Sequence, residues 1–464
     1  MKPKIPHAAG RAAEPVERYA AYPPLSVAWV SVLIFFLATV LAIMDRGLLA
    51  LVTDSVRHDL GITDVQIALL QGLAFAVFYT TVGVPVGALA DRVSRRRLLI
   101  GGMIVWSAAT VGCGLALDFG GMFLARLGVG FGEAVLGPCV VTMIGDLFAP
   151  GRRGAPMAVY SLGYMVATGV GSLLSAYILE AAPRGAFDAV PILAGLAPWR
   201  IAFVLVGGTG FAMALGVGSI REPPSRGVLL TGNTGFGFVR AARYLTAHHR
   251  AFLPFYGILA TYALGVSNPG AWGAVLLIRQ YGFDAAQAGK ALGVAQIFAA
   301  FLGAAIASVM VDLVVHRYGT SSKIAFAAGL ALLAWPSALA AGAPDRTLAV
   351  IMIAHATMVN AIFGTAMLSS ITEMVPVDMR GICVALYAFV MLMIGATLGP
   401  LAVATLTQVT FHDPTSVGVS MALVGTVAFL ATFTLAWVCY RAIGAEQRRS
   451  YRFAQVVRAN LSEA

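Results

Sequence analysis

Twelve long apolar runs divide the chain, at residues 27–52, 63–90, 98–117, 120–147, 153–181 and 198–220, and again at 251–278, 284–314, 322–341, 347–374, 380–409 and 417–442. Each is long enough to cross a bilayer core, which takes about 20 residues of helix. No run alternates apolar with polar positions as a membrane strand does. Leu, Ala, Gly and Val runs of this length satisfy their backbone as helices. The pattern predicts an all-α membrane protein with twelve transmembrane helices. Residues 1–22 carry charge without an apolar core and read as a tail, not a signal peptide. A polar stretch, 223–250, separates a first group of six helices (23–222) from a second (251–443), and 444–464 form a second tail.

Composition narrows the class further. Of 464 residues, 59% are hydrophobic and only 11% are charged, with a mean hydropathy of +0.84. That excludes soluble domains, coiled coils and disordered chains. The net charge is +10, and its distribution gives orientation. Counted by alternate loops, 23 Lys and Arg fall on the side of the tails and the central linker, and six fall on the other. The positive-inside rule places both termini and the linker in the cytoplasm and requires an even number of spans. Only four of the 31 basic residues are lysine, a bias of GC-rich bacterial genomes, so the expected location is a bacterial inner membrane. The basic residues sit in short loops and tails, which argues against nucleic-acid binding. Cys113, Cys139, Cys383 and Cys439 all lie in apolar runs and read as small buried hydrophobes, not disulfides or metal ligands.

The two groups of six repeat each other. Gly61-Ile62-Thr63-Asp64-Val65-Gln66 matches Gly282-Phe283-Asp284-Ala285-Ala286-Gln287 at an offset of 221 residues. Gly87, Asp91, Arg95 and Arg96 match Ser308, Asp312, His316 and Arg317 at the same offset. Asp146, Arg153-Gly154 and Ala158-Val159-Tyr160 match Glu373, Arg380-Gly381 and Ala385-Leu386-Tyr387 at an offset of 227. Two pseudo-symmetric six-helix bundles follow, and parallel halves with a site near midplane are a transporter architecture.

Gly87-Ala88-Leu89-Ala90-Asp91-Arg92-Val93-Ser94-Arg95-Arg96-Arg97 resembles the signature loop between the second and third helices of the major facilitator superfamily, with Ser94 where that pattern usually has glycine. Met44-Asp45-Arg46, Leu69-Leu70-Gln71-Gly72-Leu73-Ala74-Phe75 and Arg126-Leu127-Gly128-Val129-Gly130-Phe131-Gly132-Glu133-Ala134 are similar to the spinster-type branch and its bacterial relatives. The superfamily resemblance covers almost the whole chain; the spinster-like one is strongest over 40–165. The resemblance implies the major facilitator fold and alternating access. Spinster-type proteins move lysophospholipids and sphingoid lipids, so it also implies a lipid or small amphiphilic substrate, taken from among membrane lipids by a monomer. The Asp-Arg pair also occurs in organic-anion symporters of the superfamily, which keeps a proton-coupled organic-anion or drug transporter as the alternative.

Ionisable groups inside a bilayer cost about 2.5–3.5 kcal/mol on insertion scales, so each points to function. Asp45 and Glu133 are the deep acids; Arg46 and Arg126 are the embedded bases. Arg126 and Glu133 lie two helical turns apart on nearly one face, about 10 Å along the axis, too far to pair but able to line one cavity. The expectation is proton coupling by Asp45 and Glu133, driven by a proton gradient with no other cofactor. Arg126 is expected to hold a phosphate or carboxylate through its fork of donors. Arg46 is a further substrate-contact candidate, but it lies a quarter turn from Asp45 and is expected to point to the outer interface. The rival reading is a static ion-pair network bracing the first and fourth helices. Glu133 maps by the repeat to Asn360, polar but non-titrating, so titration belongs to one half. His355, one turn earlier, is a substrate-site candidate that also fits as a packing histidine.

Asp91, Arg92, Arg95, Arg96, Asp146 and Arg153, with Asp312, Glu373 and Arg380 in the second half, are expected to form a cytoplasmic latch that breaks and remakes as the halves rock. In it Asp91 caps a helix of the other half and arginines bridge to Asp146. Gly163, Gly169, Gly171, Gly395 and Gly399 are expected to let helices approach closely. Ser267-Asn268-Pro269-Gly270 is expected to break the seventh helix. HExxH, GxSxG and Walker sequences are absent, so no enzyme is expected. A membrane-embedded lipid enzyme or receptor is the remote alternative.

Overall fold

A computed structural model describes residues 22–90, 93–149, 151–223, 234–318, 322–376 and 379–462, without the side chains of 84, 87, 88, 90, 234–238, 311, 312, 314–318, 322, 323 and 442–462. Among the described residues the chain is helical and contains no strand. The first half holds α1 (Leu25–Leu51), α2 (Asp64–Gln71 continuing as Leu73–Ala90), α3 (Arg95–Leu115), α4 (Phe119–Glu133 continuing as Leu136–Leu147), α5 (Gly154–Ala181) and α6 (Pro198–Gly218). The second holds α7 (His249–Tyr281), α8 (Ala285–Tyr318), α9 (Ser322–Ala338), α10 (Arg346–Met374), α11 (Arg380–Val390, continuing to Thr410) and α12 (Val417–Ser462). Ten of the described segments are long and apolar enough to cross a membrane. The other two of the twelve expected segments are α7, which is interrupted by polar residues, and the shorter α9. The stretch expected as a linker contains a helix, Thr234–Ala247.

The repeat read from sequence is a repeat of local chemistry. Gly61 and Gly282 both adopt left-handed backbone, φ +63° and +70°, ending the preceding helix where a side chain would be strained. Thr63 then caps α2 by accepting from the Gln66 amide, while Gln66 returns a side-chain acceptor to the Thr63 N–H. Asp284 and Gln287 make the same reciprocal pair at the start of α8. Such a capping box satisfies two otherwise orphaned amides, so each half opens its second helix by the same device.

The halves meet along two seams, α5 against α8 and α2 against α11. Both are made close by glycine. A Cβ on Gly169 would stand 2.6 Å from the Gly293 carbonyl oxygen, and one on Gly72 would stand 2.5 Å from that of Ala396. Gly163 and Gly171 instead pack α5 on α1, and Gly395 and Gly399 pack α11 on α7. α11 is wound as π-helix over Met391–Leu398 and Leu406–Thr410, a form that concentrates at functional bends. The expected break in α7 is absent: the helix runs unbroken through Pro269. Ser267 and Asn268 each donate to a carbonyl one turn back, at 2.6 and 2.9 Å, supplying local hydrogen bonds beside the proline. The four cysteines are buried and unpaired, as expected.

Candidate functional site

Consecutive residues on a helix point about 100° apart, and α1 uses this to serve two surroundings at once. Asp45 turns into the bundle, is fully buried and accepts from Arg126 Nη1 at 3.1 Å. Trp106 and Thr110 of α3 lie beside it. Arg46 turns the other way and donates from Nε to Glu133 Oε2 at 2.8 Å, with Nη2 closing on the same oxygen. Its guanidinium lies over the rings of Phe75 and Tyr79 of α2, 4.2 and 5.1 Å from their centroids. The expectation that Arg46 faces the outer interface is therefore corrected: it reaches α4. A wheel drawn on α1 alone shows where Arg46 departs but not the carboxylate waiting there.

The glycine run of α4 makes this reach possible. Cβ atoms on Gly130 and Gly132 would meet the Phe75 carbonyl oxygen at 2.3 Å and the Gly102 carbonyl oxygen at 2.5 Å. Backbones of α2, α3 and α4 thus nearly touch, which brings Glu133 within range of α1. Arg126 and Glu133 do not pair with each other, as their spacing predicts; each takes one residue of the Asp45-Arg46 dipeptide.

Exposure separates the two pairs. The Asp45 and Arg126 side chains are 0% and 3% exposed, so that pair is sealed. Glu133 is 1% exposed but Arg46 is 32% exposed. The accessible cation is Arg46, not Arg126. Glu133 Oε1 has no hydrogen-bond partner among the described residues. Tyr79 and Tyr164 lie within electrostatic reach of the pair. Tyr160 is buried with its hydroxyl 3.3 Å from that of Tyr164.

In the second half, Asn360 is exposed and stands one turn before Gly364, which faces the Tyr387 hydroxyl of α11. His355 Nε2 lies 2.8 Å from the Leu333 carbonyl oxygen of α9. It ties α10 to α9, as a packing histidine does, and is not brought to the Arg46–Glu133 pair.

On the linker side the structure brings together Arg95, Arg96, Asp146 and a residue not expected there, Glu222. Arg95 pairs with Asp146 in a buried contact, and its backbone N–H donates to Glu222 Oε1 at 2.6 Å. The Ser94 hydroxyl donates to the other Glu222 oxygen and accepts from the Arg97 amide at 3.2 Å. Serine in place of the usual glycine thus caps α3 and anchors the start of the linker. Arg96 donates to the Ile220 carbonyl oxygen at 3.0 Å, where cations complement a helix C-terminus. Arg153 Nε donates to the Phe148 carbonyl oxygen at 3.0 Å. Ser369 donates to Glu373 at 3.3 Å, and Arg380 is exposed. These contacts hold each half to itself. Asp91, Arg92 and the side chain of Asp312 lie outside the described residues. Ser94→Ala should destabilise the α3 terminus by about 0.5–2 kcal/mol, read as faster hydrogen exchange at the Arg97 amide; unchanged exchange would leave Ser94 without a capping role.

Charges at the face opposite the linker were missed in the sequence. Arg279 of α7 holds Asp54 and Asp64 of the first half, and Lys290 of α8 pairs with Glu180 of α5. At helix ends such residues look like solvated loop charges. The signal that marks them is scarcity, because Arg279 and Lys290 are two of only six basic residues on that side.

A family model described as Major Facilitator Superfamily matches residues 35–400. An MFS-type efflux pump of Mycolicibacterium smegmatis (strain ATCC 700084 / mc(2)155) is 26% identical over 430 residues, covering 91% of this chain and 94% of that protein. Protein spinster of Drosophila melanogaster is 29% identical over 178 residues, covering 38% of this chain and 29% of its own length. A probable L-galactonate transporter of Escherichia coli (strain K12) is 32% identical over 164 residues, covering 35% of this chain and 36% of that one. The crystal structure of a bacterial homolog to the human lysosomal transporter Spinster, inward-facing and unoccupied, superposes with a TM-score of 0.72 at 23% identity, over 90% of this chain and 98% of that one. The chain belongs to the Major Facilitator Superfamily and is a multi-pass membrane transporter of spinster-like fold.

Proposed function

We propose that the protein is a proton-coupled secondary transporter of a bacterial inner membrane, with its termini and linker in the cytoplasm, moving an anionic amphiphile such as a lysophospholipid. The observation that carries this is the unequal burial of one ion pair, Arg46 at 32% and Glu133 at 1%. An anionic head group that reaches the exposed side of Arg46 competes with Glu133 for it. Planar guanidinium can take phosphate or carboxylate through two donors. A carboxylate stripped of its partner inside a low-dielectric core neutralises rather than remaining charged. Glu133 then takes up a proton as the head group binds, and the two travel together. Asp45 and Arg126 keep the local charge balanced and fix α1 against α4. Tyr79, half-buried beside Arg46, offers apolar surface to the body of an amphiphile.

A second reading, a small organic anion or drug as cargo, is favoured by the efflux pump that matches the chain along most of its length. A thermal-shift panel on the purified protein separates the two. Lysophospholipids should stabilise it increasingly with acyl length, while galactonate and other short anions should not. Stabilisation by short anions alone would shift the substrate to the second class.

A further inference from the structure

We infer that a cleft between the start of α1 and the end of α6, on the linker side, holds the head group of an anionic diacyl phospholipid from the surrounding leaflet. This lipid is a resident of the rim, not cargo, and none of the residues proposed to bind cargo takes part. Ser26, Val27 and Val30 line the cleft from α1, and Ser219, Ile220 and Arg221 line it from the end of α6; its volume is about 200 Å3. A site that encloses a whole ligand takes roughly 300–1,000 Å3. The cleft therefore suits a head group whose chains stay in the bilayer. Arg221 is exposed and has no hydrogen bond, ion pair or ring contact among the described residues. Its counterpart in α12, Arg441, lies over the Trp437 ring, 4.9 Å from the centroid, so the two repeats use this arginine differently. The carbonyl oxygens that would repel an anion here, those of Gly218 and Ile220, already accept from Arg96 at 3.5 and 3.0 Å. A free guanidinium beside the exposed Ser26 hydroxyl offers a phosphodiester a fork of donors and a further one across the cleft.

The surface below the cleft identifies the anion as a lipid. On α1, Val30, Leu33 and Leu37 share one face and are 56%, 54% and 43% exposed. On α6, Leu215 and Phe211 stand one and two turns before Ser219 and are exposed as well. Residues three and four apart on a helix are neighbours, so two apolar tracks run from the cleft along the membrane-facing surface. An acyl chain needs such a track, and a free phosphate has no use for it. Trp29, partly exposed next to Val30, fits the aromatic belt at head-group level. Basic clefts between membrane helices at this level select anionic head groups. The flanking chain does not complement the charge. Residues 1–21 carry four basic residues, Lys2, Lys4, Arg11 and Arg18, against Glu14 and Glu17, and residues 224–233 carry Arg226 and no acid. The bound head group stands next to Glu222, which anchors the start of the linker on α3, so the lipid braces α1 and α6 where the linker begins.

A bimane label on Leu33→Cys, on the apolar track below the cleft, reads the lipid beside it; the native cysteines are buried and do not label. The full chain is reconstituted in phosphatidylcholine vesicles containing a fixed fraction of dibrominated phosphatidylglycerol or dibrominated phosphatidylcholine, whose bromines quench a neighbouring label. Phosphatidylglycerol should compete for this position roughly tenfold better or more, the weight of one charged hydrogen bond. Arg221→Gln should bring that ratio close to one. Arg221→Lys should fall between, since it keeps charge but loses the fork. Val30→Phe, which narrows the cleft and leaves Arg221 in place, should lower the ratio as well. Arg46→Ala should leave it unchanged, so the site stands or falls apart from the cargo reading. Equal quenching by the two lipids, as when another part of the chain fills the cleft, overturns the site, and so does a ratio that Arg221→Gln does not move. Relief of the phosphatidylglycerol quenching by inorganic phosphate would also overturn it, in favour of a free anion.

Discussion

Glu133→Gln should insert normally, bind an anionic amphiphile more tightly and fail to accumulate it against a gradient. The carboxylate competes with cargo for Arg46, so its removal frees the guanidinium. A hydrogen bond to a charged group is worth about 1.5–3 kcal/mol, which corresponds to roughly 10- to 100-fold in affinity. The sign of the pH dependence follows from the exchange. In the wild type, binding releases Glu133 to take a proton, so affinity rises as pH falls. In the glutamine variant no proton is taken and affinity is flat across the same range. Binding isotherms at several pH values check both statements. A variant with wild-type affinity and an unchanged pH slope would remove Glu133 from the coupling.

Arg126→Ala should be the most destabilising single change in the site. It leaves Asp45 buried without its cation, and breaking a buried pair from one side costs about 3–5 kcal/mol. Asp45→Asn together with Arg126→Ala should recover most of that loss, because the remaining groups are neutral. Denaturant unfolding in detergent micelles measures the cycle. Additive losses in the double variant would mean that Arg126 serves something other than Asp45. Cargo affinity gives a second axis: Arg46→Ala should lose the preference for anionic over neutral lipids of equal chain length, whereas the Asp45/Arg126 double variant should keep it.

The helices were legible because hydropathy and helix ends are local properties. Apolar runs at 27–52, 98–117 and 198–220 became Leu25–Leu51, Arg95–Leu115 and Pro198–Gly218. The two turn motifs 221 residues apart became the same glycine stop and capping box. The four embedded charges were legible too, since an ionisable side chain in an apolar run has few bland explanations. Their partners were not. Whether Arg46 meets lipid or Glu133 depends on how closely α4 approaches α2, and that is set by Gly130 against the Phe75 backbone. The polar Ser267–Gly270 stretch suggested a broken helix, but α7 runs through Pro269, with Ser267 and Asn268 turned back onto carbonyls of the preceding turn. Glu222 and Arg279 were hidden for a related reason. Charge at a helix end is ordinary, and only the folded chain shows that Glu222 caps α3 or that Arg279 reaches the other half.

Proton flux on addition of cargo tests the coupling most directly. Protein reconstituted in sealed liposomes, with a pH-sensitive dye inside, receives a lysophospholipid with an anionic head group. The lipid should drive protons across the membrane in its own direction, Glu133→Gln should abolish the flux, and Arg46→Ala should abolish it for anionic lipid. Lipid movement with no accompanying proton, or an undiminished proton flux in Glu133→Gln, would contradict it.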